Sequence, residues 1–290
     1  MRIIVAVDDQ PYSARALAQA ARLARNTWPD VRLLAVAPAK SARPAGADDH
    51  SPHPWWPVLQ GYRRDFLAAF PQDQCPYPGE DSYRLQELER GWEELDPQRR
   101  SPKDLRIRLR LGTPAKEILA ECQELGSDLV IIGCQGEQDC SWAGDSGLPQ
   151  KVAGEAPCSV LVVKGQTEIE QMVCCLDHDQ VSQASLELIN QLVTLYQPRL
   201  EIVGLTSGDS LKAEVEKKMA GIMEYYNARD IRPWLELVEQ DALPAFVSRQ
   251  AQRGIVALWM GKTSIFSKIF SRGKVRQLVQ ASRSPVLILR

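Results

Sequence analysis

The sequence has little of what metalloenzymes, membrane proteins and nucleic-acid-binding proteins depend on. Histidine occurs only three times in 290 residues, and 35 basic residues are balanced by 37 acidic ones, for a net charge of -2. No apolar run approaches the ~20 residues that a membrane-spanning helix needs. We therefore expect no membrane span, no nucleic-acid partner and no histidine-based catalytic group.

Cysteine is present but shows no familiar pattern. The seven cysteines are an odd number and contain no CxxC pair. The chain passes from Met1 directly into an apolar segment, without the pattern of a secretory signal. We therefore predict a cytoplasmic protein with reduced thiols at the following positions: Cys75, Cys122, Cys134, Cys140, Cys158, Cys174 and Cys175. Because side chains alternate along a strand, one of the adjacent pair Cys174 and Cys175 should enter the core.

What the chain does contain is a repeated strand–helix pattern. With 44% hydrophobic and 25% charged residues, it has the composition of a globular protein large enough for two domains. Apolar runs ending in Asp8 and Asp177 open the two halves, and helical patterns follow at 13–28 and 181–196. Ser13 and Ser182 are the expected N-caps of these helices.

The later segments of the two halves correspond as well. Each half has two more strand patterns, then a helix, an apolar strand ending in glycine, and a closing strand. Strands that alternate with helices predict a parallel sheet covered on both faces. We predict two copies of one α/β unit, at 1–166 and 170–290. The matching segments are 31–37 and 200–205, 105–111 and 231–238, 114–125 and 244–253, 128–133 and 254–261, and 156–163 and 283–289.

The first half carries an extra segment at about 39–80, rich in proline, alanine, serine and aspartate. Trp55 and Trp56 in it are predicted to be exposed, and a helix is predicted at 83–95. Long segments of this kind are usually either functional or disordered. His50 and His53 have the spacing of half a metal site, but no further ligand lies nearby, so we predict no metal site.

In the order of these elements, the chain resembles the universal stress protein family in its tandem form. The segments that carry the resemblance are Ile4-Val-Ala-Val-Asp8, Val173-Cys-Cys-Leu-Asp177, Ala156-Pro-Cys-Ser-Val160 and a glycine-containing loop after the fourth strand of each half. The resemblance implies two doubly wound, Rossmann-like (adenine nucleotide alpha hydrolase-like) domains, each with a parallel five-stranded sheet. It also implies that the halves meet through their last strands, 159–163 and 286–289.

The family's nucleotide signature is incomplete in the first half. The resemblance implies that Asp8 faces adenosine and that the backbone near Val36 meets the base. Gly133 and Gly136 have the expected spacing, but Ser146-Gly147 reverses the expected Gly-Ser pair. Three acids in this loop, Glu137, Asp139 and Asp145, disfavour a triphosphate unless Mg²⁺ intervenes. The loop is either a weakened site or a turn that only preserves the fold.

The second half departs from the signature differently. Asp177 and Gly261 stand at the expected places, but Ser264 replaces the second glycine, and Lys274 follows Gly273 where a hydroxyl residue is expected. Lys262 belongs to the same loop, and no acidic residue occurs after Asp241. The loop either holds phosphate by its positive charge or packs against a partner or the first half.

These observations indicate a non-enzymatic regulatory protein of the stress type, with weak or altered adenine-nucleotide binding. ATP or AMP would be the ligand, with Mg²⁺ possible, and a homo-oligomer or a regulatory protein would be the partner. The alternative is a protein-interaction module with decayed nucleotide sites, which binds its partner through the 39–80 segment. A third class, an ATP-hydrolysing enzyme, lacks a recognisable catalytic group.

Overall fold

Twelve strands form one continuous sheet in the computed structural model. The structure describes the chain except residues 40–52, 72, 80–82, 89–91, 99–100, 136–139, 143–144, 166–168, 178–179, 207–211 and 262. The strands are β1 (Arg2–Ala6), β2 (Asp30–Ala37), β3 (Tyr83–Glu87), β4 (Glu93–Pro97), β5 (Leu105–Leu111), β6 (Leu129–Gly133), β7 (Ser159–Val163), β8 (Gln171–Cys175), β9 (Arg199–Thr206), β10 (Trp234–Glu239), β11 (Ile255–Trp259) and β12 (Val286–Leu289).

Helices connect the strands and cover both faces of the sheet. They are α1 (Pro11–Thr27), α2 (Trp56–Ala68), α3 (Pro114–Leu125), α4 (Leu148–Glu155), α5 (Gln183–Tyr196), α6 (Lys212–Asn227), α7 (Leu243–Gln250), α8 (Ile265–Ile269) and α9 (Arg272–Ala281), with a 3₁₀ turn at Gln240–Ala242. No helix in the described part of the chain is both long and apolar enough to cross a membrane.

The strand order is the same in the two halves, which confirms the predicted fold class. The first half has the order β5-β2-β1-β6-β7 and the second the order β10-β9-β8-β11-β12, all pairs within each set being parallel. In each half the order reverses beside the first strand, at β1 and at β8. Such a reversal opens a crevice at the carboxyl ends of the strands, where open α/β sheets bind ligands.

The two halves join through their last strands, as the resemblance implied. β7 and β12 pair antiparallel, with Leu161 opposite Leu287. The buried Lys164 Nζ also crosses the junction and donates to the Ser282 carbonyl at 2.5 Å. Helix pairs α1–α5 and α4–α9 pack across the same junction on opposite faces.

Two apolar cores lie on opposite faces of the sheet. One holds α1, α2, α5 and α6, and the other holds α3, α4, α7, α8 and α9. Because both faces are covered, adjacent strand residues can both be buried. Cys174 enters the first core and Cys175 the second, and both are fully buried. The sequence had predicted burial for only one of them.

Two local predictions were wrong. Residues 83–95 form β3 and part of β4, an antiparallel hairpin on the edge of β5, rather than a helix. The reason is tertiary: Glu94 on β4 meets Arg106 and Arg108 on β5, and this pairing overrides the helical spacing of the apolar residues. The first helix begins at Pro11, so Ser13 lies inside it, whereas Ser182 caps α5 by accepting from the Ser185 amide at 3.1 Å.

Candidate functional site

A cleft of about 440 Å³ opens at the carboxyl ends of the second-half strands. Its walls come from the segment after β8, the end of β9, α6 and the start of α8. Apolar residues on its floor include Val203, Leu205, Met219 and Phe266, and polar residues make up the rest of the lining. This is the crevice at which the strand order reverses, and its volume is in the range of small-molecule sites.

Asp177, one of the predicted site residues, lines this cleft. It follows β8 and is 8% exposed. Its carboxylate accepts a hydrogen bond from the Ile265 amide at 3.3 Å, and its carbonyl accepts from the amides of Gln180 and Val181 at 3.0 and 2.8 Å. Asp177 therefore joins the end of β8 to the start of α8, and this contact sets the position of the cleft wall.

Charged and polar side chains ring the cleft. Lys218 on α6 and Lys268 on α8 approach it from opposite faces of the sheet. Lys218 pairs with Glu214 at 3.4 Å, both being well exposed. Thr263 lies at the rim, where its hydroxyl donates to the Gln180 side-chain carbonyl at 2.5 Å. The described lining thus combines two lysines, the carboxylates of Asp177 and Glu214 and several neutral hydrogen-bonding groups.

The loop after β11 uses its predicted residues for local structure. Ser264 is fully buried, and its hydroxyl accepts from the Phe266 amide at 3.1 Å as the cap of α8. At Gly261, an added Cβ would stand 2.8 Å from the Trp259 indole nitrogen, so the glycine makes room for that ring. Lys262 lies outside the described residues. Neither Ser264 nor Gly261 lines the cleft.

Gly273 and Lys274 lie apart from the cleft, at the start of α9. The Lys274 ammonium donates to the Ile269 carbonyl at 2.9 Å. Among the residues that the structure describes, the cations lining the cleft are Lys218 and Lys268, and neither was a predicted site residue. Lys268 lies in the stretch after Asp241 that contains no acidic residue, whereas Lys218 lies on α6, in a part of the chain where no motif marked it.

The corresponding place in the first half is occupied by the protein itself. The Asp8 carboxylate accepts hydrogen bonds from the hydroxyls of Tyr12 and Ser13 and from the Gln10 amide, the last two at 2.6 and 3.0 Å. Tyr62 on α2 donates to the Asp8 carbonyl at 2.8 Å. Burial raises the pKa of Asp8 despite these hydrogen bonds. The carboxylate oxygens of Asp8, which would face adenosine, therefore already accept hydrogen bonds from neighbouring residues.

The position of Tyr12 also explains why residue 133 is a glycine. A Cβ at Gly133 would stand 2.2 Å from the Tyr12 carbonyl oxygen, so the first turn of α1 lies directly on this residue. The Tyr12 ring packs against Trp142 with 5.2 Å between centroids, and both side chains are buried. Gly133 therefore serves the packing of helix on strand, and aromatic side chains fill the space beside it.

The loop after β6 corrects the prediction that all cysteines are reduced. Cys134 and Cys140 form a disulfide with their Cα atoms 5.1 Å apart. The loop folds back on itself through an antiparallel bridge between Gln135 and Ser141, which brings the two cysteines together. A spacing of six residues is not a familiar disulfide pattern, so only this folded loop reveals the pair.

The remaining first-half residues are dispersed. Gly136 lies outside the described residues. Ser146 and Gly147 lie just before α4 and line a cavity that also includes Arg276 of the second half. Val36 lies in β2 opposite Arg110 of β5 and is half-buried against the second core. The structure therefore does not assemble the predicted first-half residues around one described cleft.

The segment after β2 is packed more tightly than predicted. Trp56 is 2% exposed, and its indole nitrogen donates to the Glu93 carboxylate, whereas Trp55 is half-buried. His50 lies outside the described residues, and His53 is buried, with its Nδ1 accepting from the Trp55 amide at 3.3 Å. Among the residues that the structure describes, no group of three potential metal ligands occurs.

Comparison with known proteins gives the family. A sequence model of the Universal stress protein family matches residues 1–164, more than half of the chain. The chain belongs to the universal stress protein family. No curated protein matches the chain. Its repeated strand order and its length fit the tandem form of this family.

Solved structures show the same fold along the whole chain. A universal stress protein from Archaeoglobus fulgidus DSM 4304 is 13% identical, with a TM-score of 0.60 over 100% of this chain and 96% of its own. The functionally unknown protein PA1789 from Pseudomonas aeruginosa PAO1 is 14% identical, with a TM-score of 0.61 over 99% and 92%. The cytoplasmic domain of a prokaryotic cation chloride cotransporter is 11% identical, with a TM-score of 0.52 over 99% and 94%.

Proposed function

We propose that this universal stress protein is a non-enzymatic adenine-nucleotide sensor that binds one nucleotide per chain, in the second-half cleft. The observation that carries the proposal is the contrast between the two halves. The second-half cleft is an open cavity of about 440 Å³ with two lysines on its walls. In the first half, Tyr12, Ser13 and Trp142 occupy the space around Asp8 and Gly133.

The chemistry of the cleft favours a nucleotide with few phosphates. Its apolar floor suits a base and its two lysines suit phosphate oxygens. The acids Asp177 and Glu214 are already engaged, the former with the Ile265 amide and the latter with Lys218. No cluster of acids that would hold Mg²⁺ occurs in the described residues. We therefore expect AMP to bind at least as well as ATP, and we expect Mg²⁺ to add little to AMP binding.

We also propose that residues 1–166 and 170–290 are the two domains of the tandem. Each of these ranges contains one complete set of five parallel strands in the family order. In this arrangement the first domain supports the second through β7 and the junction helices, and the second domain holds the ligand.

Calorimetric titration with AMP, ADP and ATP, with and without Mg²⁺, tests the proposal. The wild-type chain should bind one AMP. Replacing both Lys218 and Lys268 by alanine should weaken binding about tenfold or more, because each lost lysine removes a charge-assisted contact to phosphate. Lys274→Ala is the matched control, since its ammonium lies outside the cleft on the Ile269 carbonyl.

Three results would contradict this assignment. If titration at concentrations suited to micromolar affinity gave no heat, and the nucleotides caused no thermal shift, adenine-nucleotide binding would be ruled out. An equal loss of affinity in Lys274→Ala and in the double variant would place the phosphates at α9 instead of the cleft. Phosphate release from ATP faster than in buffer would make the protein an enzyme.

The alternative function, a protein-interaction module that binds through the 39–80 segment, has lost its main support. Trp56 is buried against Glu93 and Trp55 is only half-exposed, so they do not form a free aromatic patch. Residues 40–52 of the segment lie outside the described residues. A partner whose capture is abolished by replacing 40–52 with a glycine–serine linker, with AMP binding unchanged, would support this alternative.

A further inference from the structure

A second cavity, of about 470 Å³, lies where the amino ends of the first-half strands meet the carboxyl end of β12. It opens beside the amino end of β7, where the first half meets α5 of the second half. Its lining includes Ser127, Cys158 and Ser159 from the first half, Ser185 and Gln191 from α5, and the terminal residue Arg290. None of these groups takes part in the proposed nucleotide site.

A pair of free thiols lies at the wall of this cavity. Cys158 precedes β7 and is 7% exposed, and Cys122 lies behind it on α3 and is 1% exposed. The Cys122 and Cys158 thiols interact, and Ser127 lies between the two residues, because its hydroxyl also donates to the Cys122 carbonyl at 3.4 Å. The same hydroxyl lies 3.5 Å from the Cys158 sulfur. The Cys158 residue therefore lines the cavity, and Cys122 lies behind it in the protein interior.

The surroundings of Cys158 favour its thiolate. Interaction with the Cys122 thiol lowers the pKa of Cys158 below its ordinary value, against the effect of burial, and Ser127 and the Arg290 guanidinium act in the same direction. Arg290 is fixed in place because its guanidinium donates to the carbonyls of Cys158 and Ala153 at 3.2 and 2.7 Å. The cation is thus held beside the thiol by backbone groups.

The other described cysteines lack this combination. Cys174 and Cys175 are fully buried, and burial raises the pKa of both. Cys134 and Cys140 are already joined. Cys75 is half-buried, and its thiol makes only a long contact of 3.9 Å with the Tyr77 carbonyl. Access, a neighbouring thiol and a fixed cation therefore coincide at Cys158.

From this geometry we propose that Cys158 and Cys122 form a hydroperoxide-sensitive dithiol, with Cys158 as the attacking thiol and Cys122 as the resolving one. The Cys158 thiolate attacks one peroxide oxygen, so that an S–O bond forms, the O–O bond breaks and the departing oxygen leaves as an alcohol or water after taking up a proton. The Cys122 sulfur then displaces hydroxide from the sulfenic acid, giving a disulfide and water. Two thiols and one hydroperoxide thus become one disulfide, one alcohol or water, and one water.

Treatment of the full-length protein with hydrogen peroxide tests this reaction. Thiol titration after denaturation should fall from five free thiols per chain to three, since the pair accounts for two of the five free cysteines. Peptide mapping should show a Cys122–Cys158 linkage. Alkylation of Cys158 by iodoacetamide should reach half its maximal rate at a pH below the ~8.5 of an ordinary thiol, which a purely structural role would not produce.

Three variants separate the two roles. In Cys122→Ser, oxidation should stop at a Cys158 sulfenic acid that dimedone labels. In Cys158→Ser, Cys122 should stay reduced. Cys75→Ser is the matched control and should form the disulfide as the wild type does. Oxidation of Cys75 before Cys158, or a Cys158 that stays reduced in the folded wild type, would overturn the proposal even if a variant failed to fold.

Discussion

Replacing Glu121 by glutamine should strongly destabilise the first half. Glu121 lies on α3 and is completely buried. Its carboxylate pairs with Arg32, with Arg108 at 3.2 Å and with Arg110 at 2.6 Å. Three guanidinium groups therefore share one buried carboxylate, and glutamine of the same shape would remove the negative charge while leaving them in place.

The loss in unfolding free energy depends on which carboxylate partners each arginine retains. Removing one partner of a buried ion pair typically costs about 3–5 kcal/mol, because the remaining charge stays desolvated. Here each arginine retains a second carboxylate: Arg32 and Arg108 contact Glu94, and Arg110 contacts Glu117. We therefore expect the lower end of that range, about 3 kcal/mol, and a fall in melting temperature of roughly 6 °C or more.

Urea unfolding followed by circular dichroism measures this loss directly. The matched control is Glu214→Gln, which breaks the Glu214–Lys218 pair, whose side chains are 60% and 50% exposed. That change should cost no more than about 0.5 kcal/mol. If Glu121→Gln also cost less than about 1 kcal/mol, the arginines would have to be hydrated, and the reasoning from a desolvated cluster would fail.

Two further predictions concern the first-half opening. Gly133→Ala should destabilise the protein by about 2 kcal/mol or more without changing AMP affinity, because its Cβ would meet the Tyr12 carbonyl, whereas Gly147→Ala, with no atom nearer than 3.8 Å, should be nearly neutral in thermal unfolding. Burial raises the pKa of Asp8 in the folded state, so its contribution to stability is present below the unfolded pKa and is lost as pH rises through the folded pKa. The stability of the wild type relative to Asp8→Asn should therefore fall as pH rises above about 4 in urea titrations, and a constant difference across that range would contradict a buried, raised Asp8.

The two halves differ in the space that they leave beside the aspartate after their first strand. In the first half, Tyr12 reaches the Asp8 carboxylate and Tyr62 reaches its carbonyl. In the second half, Val181 stands five residues before Leu186, at the place that Tyr12 takes before Leu17. A valine has no hydroxyl and no ring to extend over the strand end, which is consistent with the open cleft beside Asp177.

Local patterns in the sequence were enough to predict most of the architecture. The repeated strands, the helix at Pro114–Leu125 and the cap at Ser182 depend on periodicity and nearby side chains, and all were found. The antiparallel pairing of β7 with β12 was implied by the family resemblance rather than by the residues themselves. Asp177 was found in the cleft because its place depends on the end of a single strand.

Contacts between distant segments decided the rest. The strand at 93–97 forms ion pairs with arginines of β5, and the strand at 83–87 pairs with it in turn. The lysines of the cleft come from α6 and α8. Cys122 and Cys158 are far apart in sequence and come together only in the folded core. By itself the sequence determined the strands, the helices and their order, because these follow from local periodicity. Which side chains meet at each end of the sheet was decided by tertiary packing, since burial and charge pairing across long separations leave no local pattern.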